Sequence, residues 1–570
     1  MVAGLGLTGS RKLLVIAIPS SDLGLWWKRW ILMIWNIQSR KHLFPMAKVT
    51  YTTPGVYIQE KNAFGNSVVG VPTAVPAFIG YTHPTAKGAQ NVHNKAVKIS
   101  SFTDFLRYFP LPKNKAIAAP VKPYQPQYFL VEQHQMPTAG PGLQIGSSYY
   151  ALVPDPASIY YLYNSIRWFY QNGGGEAYIV SVGSYDATFG NPLPPGDSLI
   201  NPHVRVNDLL NGLKVLRGQA EPTMYVCPDA SLLPPGQLST LMQSMLAQNA
   251  ELKTAISLFD VPGGRQPDPT QFMSDITDFR SLLGTENLSY GAAYFPFVKT
   301  SVMAIEEIDF TNLFDGRLSS LLTFLEEHKA DREVSSLLTT IQSLSEKSDS
   351  TVTIEKVHQT LVATSSLYKK IMKLVLDEVN LLPPGGAMAG IISRTDNAEG
   401  VWKAPANTSI AGATGLPIQL TNNQQSGLNI DPQTGKSINA IRSFPGQGIL
   451  VWGARTLAGN DNEWRYIPVR RTGIYIEQSC TLTTKAYVFE PNDANTWTAI
   501  KNVLSNFLTE LWRAGGLAGA SANQSYFVKC GLGTTMTQND IQQGRLIVEI
   551  GFAPVRPAEF VILRVEQKMG

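Results

Sequence analysis

The chain has 570 residues, of which 44% are hydrophobic and 16% charged, and its formal net charge is +4. This length allows roughly two to four domains, and the absence of a dense basic stripe argues against nucleic-acid binding. The three cysteines, Cys227, Cys480 and Cys530, form no CxxC pair, which excludes a disulfide scaffold and the usual zinc spacings. We therefore expect a reduced, cytoplasmic protein without a metal or cofactor.

Residues 1–45 are expected to be a leader, either mis-assigned or disordered. The run "RKLLVIAIPSS" resembles the core of a short signal peptide, and "LGLWWKRWILMIWNI" is apolar and aromatic but interrupted by Lys28 and Arg29. A membrane span needs about 20 apolar residues, and both runs are shorter than that. A cleaner start follows at Met46. The alternative is an amphipathic segment at a membrane surface, without membrane insertion.

Strands and turns are predicted for the residues that follow Met46, up to about residue 90. The runs "VTYTTPGVYIQE" and "SVVGVPTAVPAFIGYT" are β-like, and Pro54 with Gly55 places a corner between two of the strands. This segment therefore begins with a strand-like N-terminal arm.

Residues 91–300 alternate between helix and strand. The helical run "SIYYLYNSIRWFYQ" stops at the glycines 173–175 and leads into the strand "AYIVSV". "NDLLNGLKVL" precedes "TMYVCPD", and "LSTLMQSMLAQNAEL" precedes "TAISLFDVPGG" in the same way. Helix followed by strand at this spacing predicts a parallel sheet covered by helices.

Residues 301–380 differ in composition from the rest of the chain. They contain no proline and a single glycine, Gly316, and apolar residues such as Ile354, Val357 and Leu361 recur at helical spacing. We expect an inserted helical hairpin or small bundle. A helical part of the middle segment itself is the open alternative.

Residues 381–550 begin with the turn-rich block "LPPGGAMAGIISRTDNAEGVWKAPAN" and continue with β-like stretches. A helix is predicted at 495–513, because Asn492 and Asp493 suit its start and its apolar residues form one stripe. The run "DIQQGRLIVEIGF" then predicts a strand.

Candidates for chemistry are few. Asp229 and Asp260 lie at predicted strand ends, where α/β enzymes place catalytic groups, but each also suits a structural role in a turn or cap. Arg470 and Arg471 suit a salt bridge or a partner contact, or burial beside Trp464 and Tyr475. We therefore do not expect an enzyme.

The last residues, "PAEFVILRVEQKMG", alternate as a strand does and form a second arm. Ordering about ten such residues costs on the order of 10–20 kcal/mol, whereas each interstrand hydrogen bond returns only about 0.5–1.5 kcal/mol. Pairing along both edges of a sheet, with one apolar face buried, can reverse this balance. The arm is therefore expected to order inside a sheet supplied by neighbouring subunits, and head-to-tail strand exchange builds rings or open helical arrays.

Several stretches together resemble contractile tail sheath proteins, which form the outer sleeve of phage tails, R-type pyocins and extracellular contractile injection systems. The stretches are "TPGVYIQE…VPTAVPAFIGYT", "GGGEAYIVSV", "LPPGGAMAGIISRTDNAEGVWKAPAN", "RYIPVRRTGIYIEQS" and "FAPVRPAEFVILRVEQK". The resemblance covers roughly residues 46–568, apart from 301–380.

The resemblance implies an α+β multidomain fold with an inner α+β domain formed by both chain ends and an α/β, subtilisin-like middle domain. The expected segments are a leader (1–45), the N-terminal arm and part of the inner domain (46–90), the middle domain (91–300), the helical insertion (301–380), the inner C-terminal domain (381–550), and a linker with the C-terminal strand arm (551–570). The implied protein is a structural subunit that polymerises around a tube and contracts to drive that tube into a target cell envelope. A non-contractile particle or surface-layer protein is the alternative.

The implied partners are copies of this chain in stacked hexameric rings, an inner tube protein, baseplate and terminal cap proteins, and other sheath paralogues. Assembly would occur in the bacterial cytoplasm, and the product would be a phage tail or an injection particle. The inter-subunit residues would be Val49, Tyr51, Pro54, Gly55, Val56, Tyr57 and Ile58 in the N-terminal arm and Phe560, Val561, Ile562, Leu563, Arg564 and Val565 in the C-terminal arm. The hinge would comprise Gly551, Pro554 and Pro557, and the tube contacts Lys501 and Arg513.

Overall fold

The computed structural model describes residues 12–18, 68–83, 92–109, 125–137, 140–185, 191–314, 316–328 and 353–560. Their contacts divide the chain into two units. The smaller unit contains the strand Lys12–Ile18 and the segment Glu477–Ala553, and the larger contains Val71–Ile476 and the residues from Pro554 onward. This border lies at residue 477, and the domain boundary expected at 381 stays a prediction.

The larger unit contains most of the regular elements. Its strands are β2 (Pro76–Thr82), β3 (Ala96–Ile99), β4 (Tyr128–Gln133), β5 (Gly142–Ile145), β6 (Ser148–Pro154), β7 (Ala177–Ser184), β8 (Met224–Val226), β9 (Ile256–Asp260), β10 (Gly291–Phe295), β11 (Val298–Thr300), β12 (Leu381–Leu382), β13 (Thr408–Ser409), β14 (Ala413–Gly415), β15 (Asn439–Phe444) and β16 (Gly448–Trp452). Its helices are α1 (Phe102–Tyr108), α2 (Leu162–Gln171), α3 (Val206–Val215), α4 (Pro235–Leu252), α5 (Phe272–Leu282), α6 (Leu318–Glu327), α7 (Ile354–Thr364), α8 (Ser366–Val379), α9 (Gly385–Glu399) and α10 (Asn422–Asn429).

A nine-stranded sheet in the order β13-β16-β15-β10-β9-β8-β2-β7-β3 forms the centre of the larger unit. The six strands from β15 to β7 are parallel. Strands β2, β9 and β10 are buried along their whole length, which is typical of parallel strands covered on both faces. The parallel sheet expected from the alternation of helix and strand is therefore present. It also includes β2 and β15, which lie outside the 91–300 segment.

Helices α2 and α9 pack with their backbones close together. A Cβ atom on Gly390 would lie 2.4 Å from the carbonyl oxygen of Phe169, and one on Gly386 would lie 2.5 Å from that of Ser165. Only glycine permits this approach. The block that begins "LPPGG" is therefore mostly a buried helix, although its composition suggested turns, and its glycines serve helix packing.

Helices α6, α7 and α8 share the hydrophobic core of the larger unit. Leu322, Leu361 and Ile371 are buried in the same cluster as the sheet residues. Glu378 on α8 forms a salt bridge with Arg265 of the segment after β9, and both side chains are largely buried. These contacts favour the alternative in which this part of the chain is a helical portion of the larger unit.

The smaller unit contains the strands β1 (Lys12–Ile18), β17 (Tyr526–Lys529) and β18 (Leu546–Phe552), together with the helices α12 (Ala494–Arg513), α13 (Ala522–Ser525) and α14 (Gln538–Gln542). Its three strands form one sheet in the order β1-β18-β17. The border between the units falls inside α11 (Ile467–Thr484). Within the expected leader, β1 pairs antiparallel with β18 through seven residue pairs, from Lys12 with Phe552 to Ile18 with Leu546. This part of the leader is therefore an ordered strand of the sheet.

Helix α12 matches its sequence pattern. The Asp493 side chain accepts hydrogen bonds from the backbone N–H groups of Asn495 and Thr496, which caps the helix start. One face is buried through Ile500, Val503, Leu504, Phe507, Leu508 and Leu511. In the part of the chain that the structure describes, no helix is both long and apolar enough to cross a membrane.

Candidate assembly surfaces

The arms expected to join subunits fall largely outside the described residues. This applies to Val49, Tyr51, Pro54, Gly55, Val56, Tyr57 and Ile58, and to Val561, Ile562, Leu563, Arg564 and Val565. Of the arm candidates, Phe560 is described, and its side chain is 67% exposed. The roles of both arms in assembly stay predictions.

The three hinge candidates have different environments. Gly551 lies inside β18 and pairs with Leu13 and Phe527. A Cβ atom on Gly551 would lie 2.2 Å from a ring carbon of Phe527, so the glycine makes room for this ring. Pro554 is buried and Pro557 is half-buried, and both follow the end of the strand. A hinge at these two prolines stays a prediction, whereas Gly551 has a packing role within the sheet.

Beyond the prolines, Glu559 is held by an ion pair that sequence reasoning missed. Its carboxylate accepts hydrogen bonds from Arg455 Nε at 2.9 and 3.2 Å and from Arg455 Nη2 at 2.6 Å. Asn429 Nδ2 donates at 2.8 Å and the Tyr466 hydroxyl at 3.1 Å. Burial would raise the pKa of Glu559, but the hydrogen bonds and the Arg455 charge outweigh burial, and its pKa lies below the ordinary value. No local pattern links residues 104 positions apart.

The two tube-contact candidates lie at different depths on α12. Arg513 is exposed in the last turn, and Lys501 is half-buried. Burial raises the pKa of the Cys530 thiol to about 11, and the charge of nearby Lys501 opposes this rise. The exposed residues of the helix are mostly uncharged; they include Asn495, Thr498, Asn502, Asn506, Glu510 and Arg513.

Asp229 and Asp260 are buried and bound to backbone groups. Asp229 accepts hydrogen bonds from the backbone N–H groups of Tyr81, Tyr161 and Leu162, at 2.9, 2.6 and 3.2 Å. Burial raises its pKa to about 6 against the lowering effect of these bonds. Asp260 accepts one from the N–H of Gly385 at 2.7 Å, and burial raises its pKa to about 7. Both carboxyl groups therefore connect loops and helix starts to the sheet.

The paired arginines are buried in the larger unit. Arg471 forms a bidentate salt bridge with Asp396, with oxygen–nitrogen distances of 2.7 and 2.6 Å. The guanidinium carbon of Arg470 lies 3.5 Å from the centroid of the Trp464 ring and 4.3 Å from that of Tyr290. Of the roles left open by the sequence, the structure shows a salt bridge for Arg471 and burial beside Trp464 for Arg470. Among the described residues, no cluster of three or more histidine, cysteine or acidic side chains suits a metal ion.

Two parts of the chain match known protein domains. Residues 459–568 match the phage tail sheath C-terminal domain, and residues 333–457 match the phage tail sheath protein central domain. The resemblance to contractile tail sheath proteins is confirmed. The similar curated proteins are tail sheath proteins as well. That of Vibrio phage KVP40 is 28% identical over 144 residues, which are 25% of this chain and 21% of the relative.

The tail sheath protein of Enterobacteria phage T4 is 23% identical over 185 residues, or 32% of this chain and 26% of the relative. The matched regions thus span about a quarter of the length of these two sheath proteins. A chain in the cryo-EM structure of the anti-feeding prophage baseplate is 25% identical with a TM-score of 0.53, and the alignment covers 91% of this chain and 100% of that one. A chain of the PVC sheath complex, an extracellular contractile injection system in the contracted state, shares the fold at 24% identity and a TM-score of 0.52, over 91% of this chain and 99% of that one.

The two matched regions include different elements of the structure. The match to the C-terminal domain begins shortly before α11 and includes β17, β18 and Glu559. The match to the central domain includes α7 to α10 and the strands β15 and β16.

Proposed function

We propose that this chain is the structural subunit of a contractile sheath, which polymerises around an inner tube and contracts to drive the tube into a target cell envelope. The main support is the similarity to a chain of the anti-feeding prophage baseplate along 91% of the present chain and the whole of that one. Strand exchange between neighbouring subunits, through the two arms, joins the copies in this proposal. No enzymatic step belongs to it.

The partners follow from the same proposal. Copies of the chain form hexameric rings stacked in a helical sheath, and the inner tube protein templates that stack. Baseplate and cap proteins bind the two ends of the sheath, and sheath paralogues, where they exist, are incorporated into the same sheath. Assembly takes place in the bacterial cytoplasm, and the product is a phage tail or a released or anchored injection particle. The middle domain has a subtilisin-like architecture in this proposal.

Electron microscopy of shortened chains tests the role of the C-terminal arm. The full chain is compared with one that ends at Phe560, which keeps every described residue, and with a control that lacks only Met569 and Gly570. We expect tubular polymers from the full chain and the control when the tube protein is co-expressed, and unassembled subunits from the chain ending at Phe560. Tubes from all three would contradict the role of the arm, and tubes from none would contradict the sheath function.

A further inference from the structure

A carboxylate-binding pocket lies on the larger unit and is lined by Asn429, Arg455 and Tyr466. Its occupant is Glu559, which belongs to the stretch 554–560 that follows the smaller unit. The Arg455 side chain is 4% exposed and the Glu559 side chain 19%. Glu559 is thus the acceptor in a largely desolvated, bidentate ion pair with two further donors. Such pairs are strong and geometrically specific.

The pocket owes its shape to contacts that do not involve Glu559. Arg455 Nη1 donates to the carbonyl of Gly459 at 3.1 Å and to that of Asn429 at 3.4 Å. The backbone N–H of Arg455 donates to Asn439 Oδ1 at 2.8 Å, and an isolated antiparallel bridge joins Arg455 to Tyr466. The guanidinium is therefore positioned by its own unit, with Nε and part of Nη2 left for a carboxylate.

Apart from the buried Pro554 at its start, the stretch that carries Glu559 has little other burial. Arg556, Ala558 and Phe560 are exposed, and 555–560 contains neither helix nor strand. A segment of this kind would move freely if nothing held it. Its position therefore depends largely on a single side chain near its end.

We propose that Asn429, Arg455 and Tyr466 form a docking site for the C-terminal stretch, with the Glu559 carboxylate as its ligand. The docking site fixes the position of the stretch 554–560 on the larger unit. Only the consequence for assembly rests on the proposed sheath function. There, neighbouring subunits receive the C-terminal arm from a defined position.

Hydrogen exchange measured by mass spectrometry on the unassembled full chain tests the docking site. Glu559→Gln keeps the size of the side chain but removes its charge, and the matched control, Glu326→Gln, makes the same change at an exposed position on α6. We expect the backbone amides of residues 555, 556 and 558–560 to exchange roughly tenfold faster or more in Glu559→Gln and to remain unchanged in the control. Tyr466→Phe, which loses one hydrogen bond, gives a smaller increase.

An unchanged exchange rate in Glu559→Gln overturns the docking site. A rise spread over the whole larger unit also overturns it, because Glu559 would then support the fold in general. A local rise combined with normal tubes in electron microscopy supports the docking site and separates it from assembly, so that the failure of one proposal is distinguishable from the failure of the other.

Discussion

Single residues decide how closely the buried helices approach each other. In the contact between α2 and α9, the backbone carbonyls of Phe169 and Ser165 occupy the space that side chains at Gly390 and Gly386 would need. Backbone atoms cannot move aside as a flexible side chain can. These two glycines are therefore more restrictive than glycines that merely end helices.

We predict that Gly390→Ala lowers the thermal unfolding midpoint by several degrees, since overpacking costs about 1–3 kcal/mol. Gly236→Ala is the matched control, because Gly236 also lies in a helix and no heavy atom would lie within 4 Å of its new Cβ atom. Differential scanning calorimetry should show an unchanged or higher midpoint for the control. Equal midpoints for the two variants would contradict the close packing.

The buried carboxyl groups make stability depend on pH. The pKa of Asp260, about 7, and that of Asp229, about 6, lie above the ordinary value for aspartate. Between about pH 4 and these values the native state binds protons that the unfolded chain has released. These two groups therefore stabilise the protein as the pH falls from 8 to 5 and destabilise it as the pH rises.

We predict that Asp260→Asn raises the unfolding midpoint at pH 8 by roughly 2–4 °C and has little effect at pH 5. The remaining amide oxygen still accepts the hydrogen bond from Gly385. Asp229→Asn should lower the midpoint at both pH values, because both Asp229 oxygens accept N–H groups and an amide nitrogen would face one of them. Thermal melts at the two pH values compare the variants; an equal effect of Asp260→Asn at both would contradict the raised pKa.

Residues with local roles were predictable from the sequence, whereas those with distant partners were not. The Asp493 cap and the end of α2 before the glycines 173–175 follow from neighbours in the chain. The pairing of Arg455 with Glu559 spans 104 positions, and no periodicity connects them. The same limit applies to Gly390, whose helix was hidden by a composition typical of turns.

At the scale of elements, β18 is the central strand of its sheet. It pairs with β1 on one side and with β17 on the other, so that both of its backbone edges are occupied. Gly551 permits the Phe527 ring on β17 to lie across the strand. A side chain at this position would displace the ring and weaken the pairing of the two strands.

We predict that Gly551→Ala speeds hydrogen exchange in β17 and β18, and that Phe527→Leu, added to it, restores protection by freeing the space. Phe527→Leu alone is the control and should have a smaller effect. If Gly551→Ala leaves exchange unchanged but stops contraction of assembled tubes, Gly551 is a hinge and its packing role is minor.

The helices and strands between residues 91 and 300 were largely predictable, because each has its own periodicity. The sheet order was not, because a parallel sheet pairs strands that are far apart in the chain. Strand β2 lies between β7 and β8, and β15 extends the sheet next to β10. Segments that differ in composition thus share one hydrophobic core, which their composition alone did not predict.

At the scale of the whole molecule, the proposed function requires one subunit to support two lattices. A sheath subunit must keep its neighbours connected while its body moves. A surface-layer or other non-contractile particle has no such requirement, although it also assembles through strand exchange.

We predict that tubes of this chain occur with two different axial repeats, a longer and a shorter one, and that triggering converts the longer into the shorter. Cryo-electron microscopy before and after mild acid or denaturant treatment measures both repeats. The non-contractile alternative would be favoured if all tubes showed a single axial repeat. In that case, acid treatment would dissolve the tubes without producing a second axial repeat.

The pairing of β1 with β18 has a practical consequence for recombinant work. A chain started at Met46 would lack β1 and so lose seven residue pairs from one edge of β18. An unpaired strand edge of this length can pair with strands of other chains, and it promotes aggregation. Such a shortened protein could form filaments or precipitates for reasons unrelated to a sheath, so the polymers that bear on biological assembly are those made by the chain with its first eighteen residues in place.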